Sequence, residues 1–429
     1  MNLKSDLAIF AGKRGKRLLL AYFAIGFAHP AMISFVFMQY VFYDAMIAVM
    51  GISNFQLGFL ITIEGAGAII LALPIGMLVD RFDCNKVLYA SWMASALASA
   101  AFALVPTYEV ALVAWAVLSV TMCGFIPGVY KIVRIIVPAD SEGKSYGAFG
   151  FFTAIGFMVI NFVSLAVYSW AADEFGLATG LSIVLWLFAI VLSVSATIAF
   201  LVIRTLDYPG DEAKTVKKIS LRDVVGIAKM PGTWLVFIIC FTINTLHMTV
   251  SYFTPYFTGV LGATIAFSGA FAVIRQYGVR LLIAPFGGWL GDRIRSNTKI
   301  ITVAFLVASV LIMIVIGLPA EISIAVVVLV VLGIAVVDNL LIPMQYAACR
   351  EALIPPKYMG TVVGLTTIIL PDLFVPSMYG NWLDVYGNGG YVYIFLFSIA
   401  LNLVAVAAGV VILRRFKKAG EAEKRSVGL

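Results

Sequence analysis

Apolar residues run along this chain in long blocks separated by short polar breaks, and the blocks set its architecture. Twelve of them reach the roughly 20 residues that an α-helix needs to cross a hydrocarbon core about 30 Å thick. They are residues 18–42, 56–79, 87–105, 110–136, 146–170, 178–203, 234–257, 264–289, 300–318, 322–348, 360–382 and 391–413. A lipid-exposed backbone must satisfy its own hydrogen bonds, and barrel strands are shorter and alternating, so the blocks predict transmembrane helices. Composition agrees: 62% of the residues are hydrophobic and 12% charged, the mean hydropathy is +1.04, and soluble domains carry roughly 25% charged residues. The expected class is an all-α integral membrane protein, with the lipid bilayer as its solvent.

Charge orients the helices. With a cytosolic N-terminus, all but two of the 29 lysines and arginines fall at the cytosolic face, as the bias toward positive cytoplasmic loops requires. The two exceptions, Arg275 and Arg280, lie inside the eighth block, and the outer loops carry Asp44, Glu109, Asp173, Glu174, Glu321 and Asp384 instead. The net charge of +7 is therefore a signature of topology, expected in the inner (plasma) membrane with both termini cytoplasmic, and gives no ground for nucleic-acid binding. The apolar run after Arg17 is about 25 residues long, beyond the roughly 7–15 of a signal-peptide core, so a retained first helix is expected. Cys84, Cys123, Cys240 and Cys349 show neither CxxC nor Cys/His ligand spacing. They read as small buried apolar residues, with no disulfide framework, metal site or cofactor expected.

Two polar breaks repeat each other. The break after the second block opens with Gly76-Met-Leu-Val-Asp80-Arg81, and the break after the eighth opens with Gly288-Trp-Leu-Gly-Asp292-Arg293. Lys86 and Lys299 follow them, and the ends of blocks 4 and 10 match as well, one separation relating Pro138 to Pro355 and Gly147 to Gly364. Such duplication predicts two related halves. The paired loops resemble the cytoplasmic signature of the major facilitator superfamily, Gly-x-x-x-Asp-Arg-x-Gly-Arg-Lys/Arg, although Asp83 stands where the family usually has Gly and Asn85 where it has Arg. The resemblance implies two pseudo-symmetric six-helix bundles, here 1–204 and 233–429, joined by a cytoplasmic linker at 205–232. It further implies a central site lined largely by spans 1, 4, 7 and 10, transport by rocking of the bundles, and gating roles for Gly76, Asp80, Arg81, Gly288, Asp292 and Arg293. A monomer is the expected functional unit.

Polar side chains inside apolar blocks are the candidates for chemistry, because each is costly in a bilayer unless paired, protonated or hydrated. His29, beside Pro30, fits either a kinked helix whose imidazole bonds a neighbouring carbonyl or the wall of a cavity. Glu64, about 24 Å from the loop at Asp80 by helix rise, fits a proton site or the partner of an arginine. Lys131 and Arg134 lie within about 10 Å of the cytosolic edge, where long side chains snorkel; Lys131 is also a substrate-binding candidate. Asn244, His247 and Ser251 share one helix face, which predicts the lining of an aqueous cavity. Arg280 and Arg275 lie about 18 and 25 Å from the loop at Asp292 and about 140° apart on a regular helix. That spacing predicts separate roles, one facing the cavity and the other paired with a carboxylate. Asp338 and Asn339 in block 10, and Asp372 between Pro371 and Pro376 in block 11, are the available partners, and the two prolines predict a distorted helix. The family resemblance carries His29, Asn244, His247, Asp338 and Asn339 to the cavity, with Arg275 and Arg280 reaching it from the side.

Guanidinium groups stay charged and bind carboxylates in bidentate fashion. The leading expectation is therefore a secondary active transporter for a small-molecule substrate, an organic anion such as a carboxylate or sugar acid. Proton coupling through Glu64, Asp338 or Asp372 is a second expectation. If those acids neutralise the arginines, the alternative is a carrier of a neutral or cationic solute, including efflux of drugs. The Gly-Pro-x-x-Gly-Gly motif associated with span 5 of many drug antiporters is missing, since Tyr146 to Trp170 holds only Gly147, Gly150 and Gly156. A membrane sensor that binds a solute without moving it is the non-transport alternative. With no nucleophile motif, metal-ligand spacing or phosphate loop, an enzyme is not expected, and an ion or solute gradient is expected to supply the energy.

Overall fold

The computed structural model describes residues 12–138, 141–206, 226–294, 296–319, 322–355, 358, 362 and 370–427. The side chains at 72–74, 76–81, 284, 285, 288 and 292 lie outside that description. The chain divides into two compact units, Met1–Lys214 with Ile265–Val273, and Thr215–Thr264 with Ile274–Leu429. Most of the linker expected at 205–232 lies outside the described residues.

The first unit contains α1 (Gly12–Val36), α2 (Gln39–Met50), α3 (Asn54–Arg81), α4 (Cys84–Leu104), α5 (Tyr108–Ile135), α6 (Glu142–Phe175), α7 (Leu177–Arg204) and the short α10 (Ile265–Val273). Gly51, at φ 64°, closes α2 in the left-handed conformation that glycine adopts without a Cβ penalty. Asp83 explains its own departure from the loop signature: its carboxylate caps α4 by accepting from the backbone N–H groups of Asn85 and Lys86. Asn85 completes the anchor by donating from Nδ2 to the Phe200 carbonyl in α7 at 3.1 Å. Two helices of this unit touch backbone to backbone, since a Cβ added at Gly156 of α6 would stand 2.0 Å from the Gly26 carbonyl oxygen of α1. Small residues allow that approach, which dispersion and close packing stabilise inside a bilayer.

The second unit contains α8 (Pro231–Ser251), α9 (Phe253–Gly259), α11 (Val279–Ile294), α12 (Asn297–Gly317), α13 (Ile324–Leu341), α14 (Val375–Tyr386) and α15 (Gly390–Val427). Corresponding helices pack in corresponding pairs. In the first unit α3 packs on α5, and α4 on both α5 and α7; in the second α11 packs on α13, and α12 on both α13 and α15. Ten described helical stretches are long and apolar enough to cross a membrane. The eighth block escapes that count because it is divided into three pieces, and the eleventh because most of residues 360–369 lies outside the described residues and its second half is joined to the twelfth in one stretch, Val375–Ala419. The fold is thus all-α, with twelve spans in two pseudo-symmetric six-helix bundles. Large apolar side chains such as Leu282 (75% exposed) and Ile70 (73%) point outward, as lipid-facing surfaces require.

Three spans of the second unit depart from regular helices. The eighth passes through a π-helical turn, Ile274–Gly278, between α10 and α11, and the boundary between the two units falls at its first residue. The tenth, expected to continue to residue 348, stops as an α-helix at Leu341 and proceeds through 3-10 turns at Ile342–Met344 and Ala347–Cys349. Pro343 is the cause, because it lacks the N–H that would bond four residues back and its ring crowds that carbonyl. In the eleventh, Leu370–Leu373 forms a 3-10 turn and α14 restarts with Pro376 in its first turn, the distortion that the paired prolines predict.

Candidate functional site

The second unit brings five of the sequence-predicted polar residues together, joined by Gln276. His247, on α8, lies beside Asp338 of α13, with Nδ1 2.8 Å from the carboxylate Oδ2. Its Nε2 lies 3.1 Å from Nε2 of Gln276 in the π turn. With the Gln276 Nε2 facing the ring, these contacts match the tautomer in which Nδ1–H donates to Asp338 and Nε2 accepts from the amide. Asp338 is 1% exposed, and its second oxygen, Oδ1, has no hydrogen-bond partner among the described residues.

Arg275 and Arg280 leave the π turn toward different partners. Arg275 is fully buried and donates from Nη2 to Thr254 Oγ1 at 3.1 Å, while the Asp338 carboxylate attracts it through space. Arg280 is half-buried and donates from Nε to Asn339 Oδ1 at 3.2 Å. Asn339 also donates from Nδ2 to the Arg275 carbonyl at 3.1 Å and to the Ala335 carbonyl at 2.9 Å. A π turn disturbs the regular ladder of backbone bonds, and this amide supplies a donor to it. The 140° angle expected for a regular helix does not apply, since five residues of wider pitch intervene. Asp338 thus hydrogen-bonds His247 while it attracts Arg275, and Arg280 bonds the neutral Asn339 amide.

Other candidates stand apart from this group. Asn244 donates from Nδ2 to the Cys240 carbonyl at 2.8 Å and reaches Gln345 Oε1 at 3.5 Å, beside the unwound end of the tenth span. Asp372 is buried in its 3-10 turn. In the first unit, Lys131 is half-buried near the end of α5. Glu64 is 4% exposed, and among the described residues it forms no hydrogen bond or ion pair. Around it α3 and α5 press together, a Cβ at Gly67 falling 2.2 Å from Ser119 Oγ. His29 sits among the rings of Phe125, Phe149 and Phe157, at centroid distances of 4.9, 5.4 and 6.1 Å. Among the described residues its Nδ1 is buried without a hydrogen-bond partner. Gly76, Asp80, Arg81, Gly288 and Asp292 have side chains outside the described residues. Arg293 is exposed, its guanidinium 5.5 Å from the Trp289 ring centroid.

Sequence reasoning gave no role to Gln276, Thr254 or Glu351. A lone amide between two arginines in an apolar helix was the available signal for Gln276. Glu351 closes the N-terminal end of α12, accepting from Ser296 Oγ at 2.7 Å and the Asn297 N–H at 2.8 Å. Its partners are far away in sequence, so nothing local announced them.

Comparison with known proteins sets this geometry in a family. A model of the Major Facilitator Superfamily matches residues 18–370. Inner membrane protein YqcE of Escherichia coli (strain K12) is 23% identical over 372 residues, covering 84% of this chain and 86% of the relative. Inner membrane protein YihN of the same organism is 23% identical over 352 residues, covering 79% and 82%. Among solved structures, an inward-facing, unoccupied bacterial homolog of the human lysosomal transporter Spinster aligns with a TM-score of 0.73 at 14% identity, covering 95% of this chain and 99% of that one. The nucleoside transporter NupG aligns at 0.71 and 14% identity, covering 96% and 100%. These structures share the fold.

Proposed function

This chain belongs to the major facilitator superfamily, and from that premise we propose that it is a secondary active transporter moving a small organic anion by alternating access. The reading rests on Arg280. Its guanidinium is half-buried, its partner among the described residues is the neutral Asn339 amide, and the nearest acid in the tenth span is engaged by His247. A cation held this way keeps its Nη donors for a carboxylate, and partial burial strengthens that charge-assisted bond. Arg275, enclosed with Thr254, supports the turn from which Arg280 projects. The linker at 205–232, the monomeric state and an inner-membrane location with cytoplasmic termini belong to the same proposal; both E. coli relatives are named inner membrane proteins.

Purified protein in liposomes, offered a panel of monocarboxylates, dicarboxylates and sugar acids, is expected to take up at least one in saturable fashion. Arg280→Ala is expected to weaken uptake by about thirtyfold or more, the equivalent of about 2 kcal/mol for a truncated charge pair. Uptake of no anion, or unchanged uptake by that variant, overturns the assignment. Counterflow of unlabelled against labelled solute separates a carrier from a sensor. Proton coupling is a second reading, favoured by the buried Glu64 and the paired Asp338; uptake that ignores an imposed pH gradient overturns it.

A further inference from the structure

The His247 imidazole sits between a group of fixed polarity and one whose polarity reverses. Asp338 can only accept from Nδ1 while ionised, whereas the Gln276 amide, its Nε2 3.1 Å from the His247 Nε2, can present either a donor or, once rotated, an acceptor. We infer that His247 Nε2 is a proton-binding site and that Gln276 is the positioning residue that reads its charge into the π turn. This deepens the carrier reading by naming a coupling group, and rests on that reading for its place in a transport cycle.

With the imidazole neutral, Nδ1–H donates to Asp338 Oδ2 and the Nε2 lone pair accepts from Gln276 Nε2. A proton added at Nε2 turns that nitrogen into a donor, and the amide must rotate by about 180° to present Oε1. Rotation sacrifices no other side-chain bond, because the contact with His247 is the one hydrogen bond Gln276 makes among the described residues. The buried Asp338 carboxylate, with Oδ1 open, supplies the counter-charge for the imidazolium. Gln276 stands in the π turn between Arg275, bonded to Thr254, and Arg280, bonded to Asn339, and Asn339 also holds the Arg275 carbonyl. One amide reversal therefore acts on the segment that carries both guanidinium groups.

Titratable groups on the elements around α8 are few. Asp338 comes from α13 and Arg275 from the π turn, Asp372 lies in the 3-10 turn that packs on α8, and Tyr379 of α14 bonds Thr249 of α8 at 2.9 Å. Cys240 lies on α8 itself, Tyr252 closes it, and Tyr391 of α15 packs on Tyr256 of α9. Among these, His247 alone bonds both Asp338 and the π turn.

The chain's two histidines make the test direct. Full-length protein with 15N-labelled histidine, in lipid nanodiscs and without solute, gives two imidazole signal sets, and His247→Asn assigns them. His247 is expected to show a protonated Nδ1 and bare Nε2 at high pH, and two protonated nitrogens as pH falls. Gln276→Glu is expected to hold the doubly protonated form to higher pH, and Gln276→Met to surrender it at lower pH, each by about one pH unit. A bare nitrogen that persists while a protonated Asp338 carboxyl band appears overturns the site, and that result needs only the unmodified chain. Both Gln276 variants titrating like the parent overturn the role of the amide. Because no solute is present, failure of anion uptake sinks the carrier reading alone.

Discussion

The two histidines stand in the first spanning helix of their respective units and meet opposite surroundings. His29 is wedged among three phenylalanine rings with Nδ1 unpartnered; His247 is bonded through both ring nitrogens. Repeat-related residues tell the same story, since the separation that relates Gly76 to Gly288 also relates Glu64 to Gln276. Glu64, where α3 meets α5, makes no hydrogen bond among the described residues, whereas Gln276 bonds His247 in the second unit's network. Duplication has thus kept the helix packing and divided the labour: the first unit ties its helices with close contacts and neutral hydrogen bonds such as Asn161 to Ser34, and the second holds a connected network that includes charged groups on broken helices. Fold symmetry does not imply chemical symmetry, and function must be argued from the site.

That division breaks first where backbones touch. Gly156→Leu is expected to destabilise the protein by about 3 kcal/mol, the upper end for overpacking, read as a lower midpoint of thermal unfolding; an unchanged midpoint would deny that the first unit depends on close approach. Asp338→Ala is expected to cost about 2 kcal/mol by removing the acceptor of the His247 Nδ1–H. Asp83→Ala is expected to cost about 1 kcal/mol through loss of the α4 cap, with Asp83→Ser recovering most of it. Glu64→Gln is expected to shift stability by less than about 0.5 kcal/mol, because no partner is lost. A large loss there would show that the Glu64 carboxylate is held by a partner.

The spans, the duplication and the loop pairs were legible because they are written in local hydropathy and in short repeated strings. So were the prolines that interrupt the tenth and eleventh spans, since proline acts on its own backbone. His247, Asp338, Arg275, Arg280 and Asn339 were legible as individuals, each being polar in an apolar helix. Their pairing was not: which acid meets which base depends on helix rotation, and the π turn at Ile274–Gly278 changes that rotation without a residue type that marks it. The departures at Asp83 and Asn85 looked like a damaged signature in sequence, yet they form the cap and the tie to α7. Glu351 needed a fold before its partners existed.

The π turn also has a consequence for ancestry and for engineering. It spends five residues where an α-helix turns in about four, so it has the length of an α-helix that gained one residue. Aligning the eighth span against the second then calls for a one-position gap near Ile274, and upstream of it the correspondence between halves slips by one. Deleting a single residue from Ile274–Gly278 would be expected to restore an unbroken helix and turn everything before it by about 100°. An indel of one codon is enough to separate a span that copies its older twin from one that delivers two cations and an amide to partners of its own.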